Sequence, residues 1–187
     1  VICGRVEQGV AKLEDKIAIA PGGFNDLKLF SLEMHRKKYS EAVPGDNVGM
    51  TIKGLDKNNM PKSGDLIFRP AEGMVRPTKS FVAQVVVQEH PGQLKVGFSP
   101  IIYCRTAKTA CKMTKINWKM GKKTGGQKMD SPPFLERGES AEVVFEPCKP
   151  FIVEAFDKVP GMGRIAVMDS NALIMLGKVL SVESEEG

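Results

Sequence analysis

At 187 residues, 42% hydrophobic and 26% charged, the chain carries enough apolar material for one large domain or two small ones, which excludes a wholly disordered segment. Glycine at 19, proline at 12 and only 6% aromatic residues favour many short strands and tight turns over long helices. The net charge of +5 suits an anionic partner, and no run of eighteen apolar residues or signal-like start appears, so a cytoplasmic protein without membrane association is expected.

The chain opens on Val1-Ile2-Cys3-Gly4-Arg5-Val6-Glu7 with no initiating methionine, inside what reads as a strand, and is expected to be a fragment of a longer protein. Gly4 to Gly9 reads as a short strand into a turn, and Asp15 to Ala20 as a second strand broken by Pro21-Gly22-Gly23. The central stretch, Ser31 to Gly49, begins with strict alternation that sets Leu29, Ser31 and Glu33 on one face and Phe30, Leu32 and Met34 on the other. It then breaks into Arg36-Lys37-Lys38, and the Pro44-Gly45-Asp46-Asn47 turn returns it to Val48–Ile52. One rim would therefore carry Glu33, His35, Arg36 and Asn47: a carboxylate, an imidazole, a guanidinium and an amide able to hold a sugar hydroxyl, a base edge and a carbonyl. The same stretch also reads as an ordinary hairpin with a solvated basic loop. A polar loop from Gly54 to Asp65 leads to a last strand at Leu66–Phe68, giving an antiparallel barrel over residues 1–70.

Residues Arg69 to Lys79, with two prolines and a glycine and no periodicity, read as a linker. A second barrel over 78–187 is expected from strands at Phe81–Gln88, Phe98–Arg105, Lys112–Met120, Ala141–Phe145, Phe151–Phe156, Arg164–Met168 and Leu173–Val182, with Pro91-Gly92-Gln93 as a turn. The fold class is thus all-β, two consecutive antiparallel β-barrels. Between Glu89 and Asp130 no acidic residue occurs, while Lys95, Arg105, Lys108, Lys112, Lys115, Lys119, Lys122, Lys123 and Lys128 do, a pattern suited to phosphates or equally to a solubilising rim. Tyr103 and Trp118 lie in the same run and can stack on bases, although a lone tryptophan in a strand is more often core.

Cys3, Cys104, Cys111 and Cys148 lack paired spacing, and only His35 and His90 could join them, so buried free thiols are expected and no metal site. No phosphate-binding loop, nucleophile elbow or zinc helix motif occurs, and Gly161-Met162-Gly163 reads as a turn. No active site is expected in this stretch.

Gly4-Arg5-Val6-Glu7-Gln8-Gly9, Glu33-Met34-His35-Arg36, Pro44-Gly45-Asp46-Asn47-Val48-Gly49 and His90-Pro91-Gly92-Gln93 resemble the second and third domains of translation elongation factor one-alpha, as do Thr106-Ala107, Ala110-Cys111-Lys112 and Gly163–Val167. Gly54–Pro61 and Trp118–Lys122 look more like the divergent elongation factor-like branch of some eukaryotes. The resemblance implies a translational GTPase that delivers aminoacyl-tRNA to the ribosome. Its GTP-binding domain, with GTP and magnesium, would precede Val1 in the same chain, and this fragment would hold no cofactor. It further implies that the position matching Glu33 meets the tRNA 3′ nucleotide and that those matching Arg36 and Asn47 lie beside the aminoacyl group. The third domain would hold the T stem, through Arg105, Lys108, Lys112, Lys115 and Asp169. Where the family usually has Arg-Asp and then Arg-Gln-Thr, this chain reads Met168-Asp169-Ser170-Asn171-Ala172-Leu173, which removes a cationic phosphate contact at Met168. A guanine-nucleotide exchange factor would dock on the second domain. Release-factor-type or other GTPases of the same superfamily share these barrels, and a structural RNA-binding barrel with no GTPase parent is the remaining alternative.

Overall fold

The short β-branched runs, cut by glycine and proline, form strands along the whole chain. In the computed structural model, which describes residues 1–88, 90 and 92–186, the helical turns are three short 3-10 segments at Pro70–Glu72, Lys122–Thr124 and Pro160–Met162. Glu89 and Pro91 of the expected His90 turn lie outside the described residues. The backbone divides into Val1–Arg76 and Pro77–Gly187.

The first unit contains β1 (Ile2–Arg5), β2 (Ala11–Lys12), β3 (Lys16–Ala20), β4 (Phe24–Met34), β5 (Lys37–Tyr39), β6 (Glu41–Ala42), β7 (Asn47–Lys53) and β8 (Leu66–Phe68). Its main sheet runs β1-β7-β4-β3-β8 with β5 added beside β4, and β2 and β6 form a separate ribbon. Ile17, Ile19, Leu27, Leu29, Leu32, Val48 and Met50 fill its core, and Ala42 of the ribbon packs into the same cluster. The first strand ends at Arg5, where Val6 leaves the ladder to exchange backbone bonds with the Pro44 turn: its N–H donates to Asp46 O, and its carbonyl accepts from Gly45 N–H.

Strict alternation fails in β4. Leu29 pairs with Ile52 and Ser31 with Thr51, which leaves Phe30 as the extra residue of a bulge. Leu29 and Leu32 therefore both face the core, while Phe30 is turned out, 49% exposed, with Lys53 Nζ 4.2 Å from its ring centroid. Nor is Arg69 linker: its guanidinium donates to Val10 O at 2.9 Å and pairs with Asp15 and Glu72, so the chain is free of the first unit only beyond it.

The second unit contains β9 (Thr78–Val87), β10 (Leu94–Lys95), β11 (Ile101–Cys104), β12 (Ala107–Met120), β13 (Met129–Asp130), β14 (Phe134–Leu135), β15 (Ser140–Pro147), β16 (Arg164–Asp169) and β17 (Ala172–Ser184). The order β11-β16-β17-β9-β15-β12 closes on itself through the β11–β12 pairing, an antiparallel six-stranded barrel, with β13 added beside β12 and β10 paired with β14. Phe81, Val85, Ile102, Met113, Ile116, Phe145, Val167 and Met175 are among the residues that fill it. The expected strand at Phe151–Phe156 does not form. Phe151, Ile152 and Val153 are buried there, but their backbone is satisfied piecemeal: Phe151 O accepts from Thr78 N–H, and Val153 N–H donates to Thr78 Oγ1. Apolar content alone had suggested a ladder.

Two bulges in β12, between Met113 and Lys115 and between Ile116 and Trp118, reset its faces. The second sends Lys119 inward, where it is 5% exposed and its ammonium lies 3.2 Å from Glu139 and 4.3 Å from the Phe134 ring centroid. Trp118 is half-buried beneath Lys128 rather than in the core. Of the four thiols only Cys104 and Cys111 are buried. Cys3 and Cys148 are exposed, Cys3 because it stands on the outward face of β1 opposite Gly49. Burial pushes the Cys111 thiol up to about 12, so it is fully protonated at neutral pH. Iodoacetamide at pH 8 is therefore expected to label Cys3 and Cys148 in the native chain and to reach Cys104 and Cys111 only after unfolding, as read by mass spectrometry.

The buried ion pair yields a second expectation. Removing one partner strands a charge in the core, so Lys119→Ala should cost about 3–5 kcal/mol, whereas Lys119→Met with Glu139→Leu should recover most of the loss. Urea unfolding of Lys119→Ala and of the double variant measures this; equal losses in the two would contradict it.

Candidate functional site

Tight antiparallel pairing brings Glu33 and Asn47 onto one outward face of the first barrel. Glu33 lies opposite Gly49 on β7 and Lys38 on β5, and Asn47 is two residues from Gly49, with Val48 and Met50 turned into the core. Diagonal neighbours of this kind are about 7–8 Å apart. Gly49 lies beside the diagonal between them and contributes no side chain. Arg5, opposite Asn47 on β1, borders the same face, and only the cross-strand register reveals it.

His35 and Arg36 form the two-residue connection between Met34 and Lys37, with φ of 50° and 64°. Both residues of a type I′ turn need positive φ, a conformation that costs a side-chain-bearing residue about 1–2 kcal/mol. Neither Asn nor Gly is present, and that is why the sequence placed no turn here. The strain holds an imidazole and a guanidinium at the tip of the face. Glu33, His35, Arg36 and Asn47 are all exposed, and their side chains make no hydrogen bond or ion pair among the described residues.

The second group is divided by the fold. Lys112 and Lys115 stand exposed on β12, opposite Glu146 and Val144, and Lys108 stands opposite Tyr103 with its ammonium 5.7 Å from the ring centroid. Arg105 is turned inward: it sits at φ 56° and donates to Ile152 O at 3.2 Å. Asp169 closes the two-residue Ser170-Asn171 turn between β16 and β17, opposite Ala172. Lys119 is buried, and Lys123 pairs with Glu136 at 2.6 Å, an interaction that holds the Glu136 carboxyl below the usual carboxylate range. The acid-free run of the sequence thus borders Glu142 and Glu146 of β15 in the fold.

The outer wall of the second barrel also carries exposed apolar side chains. Cross-strand register aligns Val86, Leu176, Ala166 and Tyr103 in one row, and Leu173, Met168 and Ile101 in the next, leaving a contiguous apolar surface on the second barrel. Met168, where the resemblance led one to look for a cation, belongs to this surface.

The model of the family described as GTP-eEF1A C-terminal domain-like matches residues 80–180, and that of elongation factor Tu domain 2 matches residues 1–68. The chain belongs to the translation elongation factor 1-alpha superfamily. It is 38% identical over 183 residues to elongation factor 1-alpha of Methanocorpusculum labreanum, covering 98% of this chain and 42% of that protein. Elongation factor 1-alpha of Methanosarcina mazei is 36% identical, with 97% and 42% covered. The chain therefore spans less than half the length of these curated relatives. A crystal structure of sup35 complexed with GDP superposes with a TM-score of 0.85 at 23% identity, over 97% of this chain and 44% of that one, a likeness of fold.

Among the described residues, no three or more histidine, cysteine or carboxylate side chains are grouped so that they could hold a metal ion. No helix among the described residues is long and apolar enough to cross a membrane. Because the His35-Arg36 turn carries strain, replacing the pair with Asn-Gly is expected to raise the melting temperature of the chain, by relief of roughly 1 kcal/mol or more. Calorimetry checks it; an unchanged or lower melting temperature would contradict a strained tip.

Proposed function

We propose that this chain is the tRNA-binding part of a translational GTPase that delivers aminoacyl-tRNA to the ribosome during elongation. The observation that carries the reading is the exposed face holding Glu33 and Asn47, ended by the His35-Arg36 tip, with all four side chains uncommitted. A carboxylate accepts hydrogen bonds from ribose hydroxyls, and an amide serves both a carbonyl and an amine. Those are the groups of an aminoacylated 3′ adenosine. In the second barrel, the T stem would be held by the exposed Lys108, Lys112 and Lys115 through its phosphates, with Arg105 and Asp169 shaping the neighbouring turns. The apolar wall around Leu176 and Tyr103 suits a packing partner rather than RNA, and we assign it to a GTP-binding domain of the same chain. GTP and magnesium belong to that domain, an exchange factor would act on the assembled protein, and the protein would work in the cytoplasm.

The two surfaces should respond differently to substitution. In the full-length protein with GTP, Glu33→Ala and Asn47→Ala are expected to weaken aminoacyl-tRNA binding by about 1–3 kcal/mol while leaving deacylated tRNA and the salt slope nearly unchanged. Lys112→Ala and Lys115→Ala should weaken both tRNA forms and flatten the salt dependence by about one charge each. Filter binding over a salt series separates them. Aminoacyl-tRNA affinity within twofold of wild type for Glu33→Ala would remove the rim assignment, and equal affinity of the wild type for charged and uncharged tRNA would favour a termination factor.

A further inference from the structure

Three lysines stand side by side across the outer wall of the first barrel. Lys16 of β3 lies opposite Lys28 of β4, Lys28 lies opposite Lys53 of β7, and all three are exposed. Like charges directly opposite one another on an antiparallel ladder are destabilising. Among the described residues a single carboxylate pairs with the row: Glu14 binds Lys28, and its carboxyl is held below the usual range by that hydrogen bond, with Lys53 adding to the effect. The row thus keeps a surplus of two positive charges. Beside it the β4 bulge turns out Phe30, and the next level along the strands is the hydroxyl pair Ser31 and Thr51.

We infer that this wall binds the phosphate backbone of RNA through Lys16, Lys28 and Lys53, with the Phe30 ring against a base or ribose. The strand spacing makes the row about 10 Å long. A row of that length can reach the phosphates of neighbouring nucleotides on one strand. Lysine acts on phosphate as a point charge. An exposed aromatic ring beside lysines is also the arrangement on which single-stranded bases stack. The ring favours RNA over an acidic protein. The Glu33–Asn47 rim lies two outward pairs farther along the same strands, and the inference uses neither its carboxylate nor its amide.

The test uses this 187-residue chain and a fluorescent RNA hairpin with a single-stranded tail, with anisotropy followed over a salt series. The triple variant Lys16→Gln, Lys28→Gln, Lys53→Gln is expected to bind more weakly and to flatten the slope of log affinity against log salt by about 2, at roughly 0.7–0.9 per phosphate. Its melting temperature should equal or exceed the wild type, because the cross-strand repulsion is gone. Glu14→Gln, which keeps every lysine and releases Lys28, should tighten binding and steepen the slope. Phe30→Ala should weaken binding without changing the slope. The loss in the triple variant should be the same when Lys112→Ala and Lys115→Ala are already present, which separates this wall from the second barrel. An unchanged slope in the triple variant, no gain in Glu14→Gln, or a poly-glutamate peptide that depends on the three lysines while RNA does not, would each overturn the inference.

Discussion

A small barrel leaves each strand one face for the core and one for water, and the core must be filled without voids. An extra residue in a strand therefore does more than bend it: it exchanges the faces of every side chain beyond it. In β4 the extra residue is Phe30, so Leu29 and Leu32 both enter the core and Glu33 emerges beside Gly49. In β12 the bulges place Met113 and Ile116 inside, Lys112 and Lys115 outside, and Lys119 inside again. The rim, the lysine row and the surviving basic surface all follow from this constraint.

Lys119 shows what the constraint demands in return. A lysine directed into a core needs a counter-charge, and Glu139 supplies it from the turn before β15, accepting also from the Glu136 N–H at 2.6 Å. The approach is close at Gly121, where a Cβ would come within 3.1 Å of Glu139 Cγ. Thus the end of β12 and the turn before β15 are tied together, and the cations of the second barrel fall into two kinds. Lys119, Lys123 and Arg105 hold the barrel, while Lys108, Lys112 and Lys115 remain available at its surface.

The first barrel makes a different use of strain and charge. Its His35-Arg36 tip has side-chain-bearing residues where glycine would be relaxed, and its outer wall sets three lysines across from one another. Both features work against the stability of the isolated chain. An anion offsets the repulsion along the lysine row.

Alternating short apolar runs, the glycine and proline punctuation and the lack of helical periodicity were enough to read an all-β chain with two sets of strands, and most strands lie within a few residues of where those runs occur. Linked motifs such as Glu33–Arg36 and Pro44–Gly49 were enough to recognise the elongation factor family. The sequence could not place Phe30 outside, Lys119 inside or Arg105 against Ile152, because a bulge leaves no consistent mark in composition and is settled by how neighbouring strands fit. It likewise could not align Lys16 with Lys28 and Lys53, or Leu176 with Val86 and Tyr103, residues far apart in the chain. Local patterns of polarity determine which segments become strands, whereas side-chain neighbours across a sheet depend on register, which is set only when the whole barrel closes around its core.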